Sequence, residues 1–334
     1  MDRAIEALLA LRPDHPHSEF VRQMVVTSMK FLDAGGDRGM VRQASIAFKE
    51  MRYAAKVFAP HAAVRKVTVF GSARTVRGDP SYSQAVDLSR RMADAGWMVI
   101  TGAGPGIMEA GNEGAGRARS FGVNIRLPFE QSANAAVEGS PHLVTFRYFF
   151  TRKLFFVRES HAVVLFPGGF GTLDEGMEVL TLIQTGKTHP IPVVMLDPPG
   201  GDYWRSVKAL FEKDLLARGF ISPEDLDFFL VTDSVEEAVG EVLDYYGNYH
   251  SSRHLRDLYL LRLHRPPSPA ALAALEEEFA GLLLKGRGGF EVHEGRTGGE
   301  EPADPLWPPW RLVFPFDKRS HGRLRALVNR VNRW

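Results

Sequence analysis

One stretch constrains this chain more than any other. Between residues 65 and 247, short runs rich in β-branched residues alternate with helical patterns, and three of the runs end in glycine-rich turns. Residues 66–70 (KVTVF) end in Gly71-Ser72, residues 97–101 (WMVIT) in Gly102-Ala103-Gly104-Pro105-Gly106, and residues 162–166 (AVVLF) in Pro167-Gly168-Gly169. Continuous apolar runs read as strands buried on both faces, and helices between them imply parallel crossovers. The expected fold class is therefore α/β, a Rossmann-like doubly wound parallel sheet. Further strands are expected at 122–127, 142–146, 192–196 and near 228–231. Helices are expected at 82–95, 107–120, 152–160, 173–184, 203–218 and 235–246.

The flanks differ from this core. Residues 1–62 carry apolar residues at helical spacing (Ile5, Leu8, Leu9; 20–32; 41–58), with Gly35-Gly36 as a break. Residues 251–334 read as a small α+β appendage. It would hold a helix from the Ser268-Pro269 start, strands at 290–292 and 310–314, and a basic helix at 321–331. The expected division is a helical extension (1–62), a nucleotide-binding catalytic domain (63–250) and the appendage (251–334).

Composition removes several function classes. Lys and Arg number 41 against 40 Asp and Glu, so there is no global basic field for collecting nucleic-acid phosphates. Cysteine is absent, which excludes a thiol nucleophile, a disulfide framework and thiolate metal ligation. No signal pattern and no apolar run near ~20 residues is present, so the expectations are a cytoplasmic protein with neither nucleic-acid nor membrane partners.

The glycine-rich turns are the places for chemistry. In an open parallel sheet, ligands bind beyond the carboxyl ends of the strands, and glycine lets backbone N–H groups approach a phosphate at the start of the next helix. Gly102–Gly106 nearly matches a dinucleotide fingerprint, but it misses the last glycine, follows the second strand and has no acidic residue closing the next one. Gly186-Lys187-Thr188 lacks the earlier glycine of a P-loop and ends a helix instead of starting one, so an ATPase reading is rejected. Lys187 there suits the negative end of the helix dipole.

The richest segment is Pro167-Gly168-Gly169-Phe170-Gly171-Thr172-Leu173-Asp174-Glu175. Its glycines can cradle a phosphate, and Thr172 can offer a hydroxyl. Thr172 and Glu175 also have the spacing of a capping box, a purely structural use worth about 1 kcal/mol. On spacing alone the two uses of Glu175 are equally good. Thr151-Arg152-Lys153 puts two cations in the first turn of an expected helix, against its dipole, and broken local rules tend to mark function. Arg152 can fork onto a phosphate. Glu109 suits a helix start, Asn112 one turn on can reach a ligand, and Ser72 sits in the first turn. His142 and His161 lack metal-ligand spacing and read as structural.

Pro167–Glu175, with Arg152-Lys153 upstream, resembles the Lonely Guy (LOG) family of phosphoribohydrolases, often mislabelled lysine decarboxylases, over residues 65–247. Gly-Ile-Met-Glu-Ala (106–110) is similar to the family's longer members, and Ala103 stands where a third glycine is common. The resemblance implies a homodimer or dimer of dimers with the active site near the subunit interface. It implies hydrolysis of AMP, or of cytokinin riboside monophosphate, to free base and ribose 5-phosphate, without metal or organic cofactor. By the family pattern the catalytic pair is Arg152 and Glu175, and the phosphate turn is Gly168, Gly169, Gly171 and Thr172. Gly102, Gly104 and Gly106 form a second glycine-rich stretch, with Ser72, Glu109 and Lys153 as further substrate-binding candidates. The rival expectation is a non-catalytic nucleotide or molybdenum-cofactor carrier or sensor on the same fold.

Overall fold

A computed structural model describes residues 2–12, 15–127, 132–298, 300 and 307–334. Its internal contacts divide the chain into two units, Met1–Lys56 and Val57–Trp334. The first unit is helical: α1 (Asp2–Leu9), α2 (Ser18–Asp33) and all but the last two residues of α3 (Arg38–Phe58). Arg22 of α2 reaches Glu6 of α1 at 3.1 Å. Phe20, Met24 and Leu32 of α2 are exposed.

The second unit holds the expected sheet. Its elements are β1 (Lys66–Phe70), α4 (Pro80–Asp94), β2 (Met98–Thr101), α5 (Ile107–Ala115), β3 (Ser120–Ile125), β4 (Leu143–Phe146), α6 (Phe149–Glu159), β5 (Ala162–Leu165), α7 (Phe170–Gln184), β6 (Val193–Leu196), α8 (Tyr203–Leu210), β7 (Phe229–Thr232) and α9 (Val235–Asp244). Seven strands, all parallel, lie in the order β4-β3-β2-β1-β5-β6-β7. Val67, Val69, Val99, Val164, Val193 and Val194 are fully buried, as strands covered on both faces require. Helix starts follow local rules: Asp79 caps α4 by accepting from Ser81 N, with Pro80 in the first turn, and Ser234 caps α9 by accepting from Glu237 N.

Strand order runs outward from β1 to β4, then resumes on the other side of β1 at β5. The β1/β5 boundary is thus the sheet's topological switch point, where the two neighbouring turns separate and leave a crevice. The β1 and β5 ends are level, since Phe70 pairs with Leu165.

Four expectations about helices need correction. The helix placed at 107–120 ends as α5 at Ala115, with Ser120 already in β3, and the helix placed at 152–160 begins as α6 at Phe149. The helix placed at 203–218 ends as α8 at Leu210 and passes into a wider π turn over Phe211–Leu216. The helix placed at 173–184 begins three residues earlier, at Phe170.

The C-terminal segment forms a second sheet from β8 (Tyr249–Leu255), β9 (Leu258–Leu263), β10 (Glu291–Glu294) and β11 (Trp310–Pro315), with α10 (Pro269–Glu278) and α11 (His321–Val331). It is antiparallel, in the order β10-β11-β9-β8. Tyr259, Leu261, Leu312 and Phe314 bury one face of it with Leu275 of α10 and Leu324, Leu327 and Val328 of α11. Tyrosines join this sheet to the parallel one. Tyr245 Oη donates to Pro190 O and Tyr246 Oη to His161 O, each at 2.6 Å, and the Arg65 guanidinium lies 3.6 Å from the Tyr246 ring centre.

Candidate active site at the switch point

The three glycine-rich turns meet as the topology requires, with Ser72 between them. Its N–H donates to Pro167 O at 3.1 Å, and its carbonyl accepts from Ile107 N at 3.1 Å. One residue therefore ties the β1 turn to both the β5 turn and the start of α5. Its Oγ accepts from Arg74 N at 3.1 Å within its own turn.

Helix α7 starts at this mouth with Gly169 as its N-cap and no side-chain cap. Thr172 is buried in the first turn, and its N–H turns back to Gly169 O at 3.0 Å. A capping box between Thr172 and Glu175 therefore does not exist, because the helix begins before Thr172 reaches a capping position. The first N–H groups of α7, carried by Gly169, Phe170 and Gly171, project from an uncapped helix start, which is the geometry that holds an anion. Gly168 is required by close approach: a Cβ there would stand 2.1 Å from Thr172 Oγ1. Its carbonyl is turned away and accepts from Tyr203 Oη at 2.6 Å. Helix α5 starts at the same mouth, at Gly106, also without a side-chain cap.

The two cations of α6 have distinct destinations, and because the helix begins at Phe149 they stand fourth and fifth in it, later than the expected start at 152 placed them. Arg152 points along the strand ends. Its Nε donates to Val123 O at 2.8 Å and its Nη2 to Gly102 O at 3.4 Å, with the guanidinium 5.0 Å from the Phe156 ring centre. Gly102 must lack a side chain for this, since a Cβ would come within 2.5 Å of Arg152 Nη2. Gly104 follows under Met108. Burial brings Arg152 down to about 10, opposed by the charge of Glu175.

Lys153 points to α7 instead. Its Nζ lies 2.8 Å from Glu178, 2.9 Å from Asp174 and 3.6 Å from Glu175. Burial works against its charge, but the hydrogen bonds to Glu178 and Asp174 prevail and raise its pKa. Glu175 itself is 8% exposed. Burial pushes its carboxyl up to about 7, and Lys153 and then Arg152 hold it from rising further. A carboxylate that exchanges its proton near neutrality, beside an anion-binding helix start, is suited to general-base work or to stabilising a developing cation.

Two of the sequence candidates have partners of their own. Glu109 forms an ion pair with Arg77 at 3.2 Å. Asn112, considered as a ligand contact, is fully buried and consumed by the scaffold: its Oδ1 accepts from Thr101 Oγ1 at 2.6 Å and Asn134 Nδ2 at 3.0 Å. That bridge and the Asn134 Nδ2 bond to Gly104 O, at 3.0 Å, support the second turn. Ala103 adopts a left-handed φ of 62° there, a conformation that disfavours a Cβ. His161 is structural: its Nδ1 accepts from Lys66 N at 3.2 Å, and burial, then Lys66 and Arg65, lowers its pKa to about 3. Among the described residues no cluster of three or more His, Cys, Asp or Glu is arranged to hold a metal.

Sequence reasoning missed Tyr203, Asp174 and Glu178 as site partners. Asp174 lies inside the recognised motif and Glu178 one turn beyond it, and an α7 register started at 170 places both beside Glu175. Nothing local marks Tyr203, which arrives from a crossover 35 residues beyond Gly168.

The chain was compared with known proteins. A family model described as "Possible lysine decarboxylase" matches residues 106–242. A cytokinin riboside 5′-monophosphate phosphoribohydrolase of Mycobacterium tuberculosis is 29% identical over 167 residues, which are 48% of this chain and 86% of that protein. A probable enzyme of the same name from Oryza sativa subsp. japonica is 27% identical over 188 residues, 54% of this chain and 77% of its own length. An Arabidopsis thaliana protein of that name is 36% identical over 94 residues, 28% of this chain and 42% of that one. Among solved structures, a molybdenum cofactor carrier protein of Chlamydomonas reinhardtii is 22% identical with a TM-score of 0.37, covering 54% of this chain and 96% of the carrier. Among the described residues no helix is long and apolar enough to cross a membrane. The matched stretch contains Arg152 and the whole glycine-rich turn up to Glu175, and through it the α/β core of this chain is similar to the phosphoribohydrolases named above.

Proposed function

We propose that the protein hydrolyses the N-glycosidic bond of a nucleoside 5′-monophosphate, AMP or a cytokinin riboside monophosphate, releasing free base and ribose 5-phosphate. The observation that carries this reading is the buried Glu175 carboxylate, freed from any capping duty and set beside Lys153 at an uncapped helix start. The relatives named above, phosphoribohydrolases by name, support the same chemistry.

The 5′-phosphate would sit on the N–H groups of Gly169, Phe170 and Gly171, fixing the ribose against the mouth. Cleavage develops positive charge on the anomeric carbon as the C–N bond lengthens and the electron pair leaves with the base. Ionised Glu175 stabilises that cation and takes a proton from the attacking water, whose oxygen forms the new C–O bond; the base nitrogen, which keeps the C–N electron pair, takes a proton from solvent, and Glu175 returns its proton to solvent. Arg152, the second catalytic residue, anchors the substrate from the opposite turn or meets developing negative charge. Ser72 and the Gly102–Gly106 stretch would wall the ribose and base. No step requires a metal or organic cofactor. A decarboxylase using pyridoxal phosphate would need an amine free to form a Schiff base. Lys153 is instead held charged by three carboxylates.

We extend the reading to assembly as a homodimer or dimer of dimers. Phe149, Phe150 and Leu154 of α6 are exposed beside the catalytic pair, an apolar surface suited to a subunit contact.

The test is a panel of purine and pyrimidine 5′-monophosphates with the matching nucleosides, scored for free base and ribose 5-phosphate. Release from monophosphates alone supports the reading and ranks the bases. Binding without release would return the protein to the carrier or sensor class.

A further inference from the structure

A cleft of about 500 Å³ lies between the edge of the parallel sheet and the C-terminal helices, away from the catalytic turns. That volume is in the range of small-molecule sites. Arg325 of α11 lines it and is 3% exposed. Arg325 Nη2 pairs with Glu241 of α9, and the guanidinium lies 4.3 Å from the Tyr245 ring centre. Yet Arg325 Nε and Nη1 are buried and meet no acceptor among the described residues. Buried donors are almost always paired, so these two N–H groups leave Arg325 with unmet capacity to donate to an acceptor at the wall of the cleft, even though Glu241 balances its charge.

The surroundings indicate which kind. Lys208, Arg330 and Arg333 join Arg325 on the wall. Of the acids there, Glu241 is engaged by Arg325, and Glu278 by Arg330 at 3.2 Å, leaving Asp227. Leu226 and Phe229 provide an apolar flank. Oxygen acceptors bearing negative charge, attached to an organic group, match this wall better than water or a neutral solute, and arginine forks favour phosphate.

We propose that this cleft is a second ligand site, separate from the catalytic mouth, which binds a phosphorylated small molecule through Arg325, Arg330, Arg333 and Lys208. The site is independent of the reaction at Glu175 and stands whether or not the protein cleaves nucleotides.

The probe is inorganic pyrophosphate, titrated calorimetrically into the full chain at low salt, where charge contacts are least screened. The wild type should show a binding component that weakens more than about tenfold, roughly 1.4 kcal/mol, in R330A/R333A. Lys208→Glu, at a half-exposed position on the rim, should weaken the same component and covers the case in which the double variant folds poorly. Cleavage of AMP should be unaltered in both, since none of these side chains reaches the catalytic turns. Pyrophosphate isotherms of Lys208→Glu and R330A/R333A that superimpose on the wild type would overturn the proposal, as would a wild type with no component sensitive to either variant.

Discussion

Lys153 Nζ stands 3.6 Å from Glu175 Oε2 while it also bonds Asp174 and Glu178. The lysine that reads as a phosphate contact in the sequence is thus occupied in holding the Glu175 carboxylate and its acidic neighbours. It supplies the nearest positive charge to a group that burial would otherwise keep protonated.

Glu175→Gln should lower turnover by about two to four orders of magnitude, the usual range for losing a positioned base, while nucleotide affinity changes little. Because Glu175 caps nothing, no cap energy is lost with it. Turnover of the variant is read from released base and affinity from calorimetry. Wild-type rates in Glu175→Gln would remove the residue from the mechanism.

The reaction should gain rate as pH rises through about 7, where Glu175 ionises. Arg152, Lys153, Asp174 and Glu178 are the charges acting on it. Removing positive charge with Lys153→Met should move the midpoint to higher pH, and removing negative charge with Glu178→Gln should move it lower. A pH–rate profile of the three proteins decides this, and identical midpoints would contradict it.

Stability carries the opposite sign. The folded-state pKa of Glu175 is raised from 4.5 to about 7, so the group favours the folded state below its unfolded pKa, and that contribution is lost as pH rises from about 4.5 through about 7. Glu175→Gln should therefore flatten the fall in stability across that window and leave the variant more stable than the wild type at pH 8, by roughly 1–3 kcal/mol. Denaturant titrations at pH 4.5 and pH 8 measure it.

Tyr203→Phe should raise KM for the monophosphate several-fold with kcat nearly unchanged. The hydroxyl holds the Gly168 carbonyl away from the mouth, and losing such a bond costs about 1 kcal/mol. An unchanged KM would show that the turn holds its shape without Tyr203.

Arg152→Lys should be a severe loss despite the retained charge. An ammonium cannot span Val123 O and Gly102 O as the guanidinium does. Activity should fall at least about tenfold to a hundredfold, with about 1 kcal/mol of stability lost as a carbonyl goes unpaired. Normal kcat/KM in the lysine variant would argue that only the charge matters.

Much of the protein is legible without coordinates. The β-branched runs specify buried parallel strands, and the order of glycine-rich turns brings those turns together at the strands' carboxyl ends. The basic helix 321–331 is read with its observed bounds. The hairpin β8–β9 is not read. Its turn, Arg256-Asp257, lacks the usual glycine or asparagine signal although Arg256 takes a left-handed φ of 57°, and YHSSRHL shows no clean apolar alternation.

What the sequence by itself determined is the architecture and the set of residues at its switch point, because hydrophobic period and glycine placement act locally and along the chain. Only the tertiary structure decided what those residues do. The start of α7 at Phe170 freed Glu175 from a capping role, and the packing of α6 against the strand ends and α7 sent Arg152 to backbone carbonyls and Lys153 to carboxylates. Asn112 was drawn into a buried bridge with Thr101, and Glu109 into a surface ion pair with Arg77. These outcomes depend on which groups arrive from distant segments to satisfy a buried charge or donor, and no spacing within one segment encodes that.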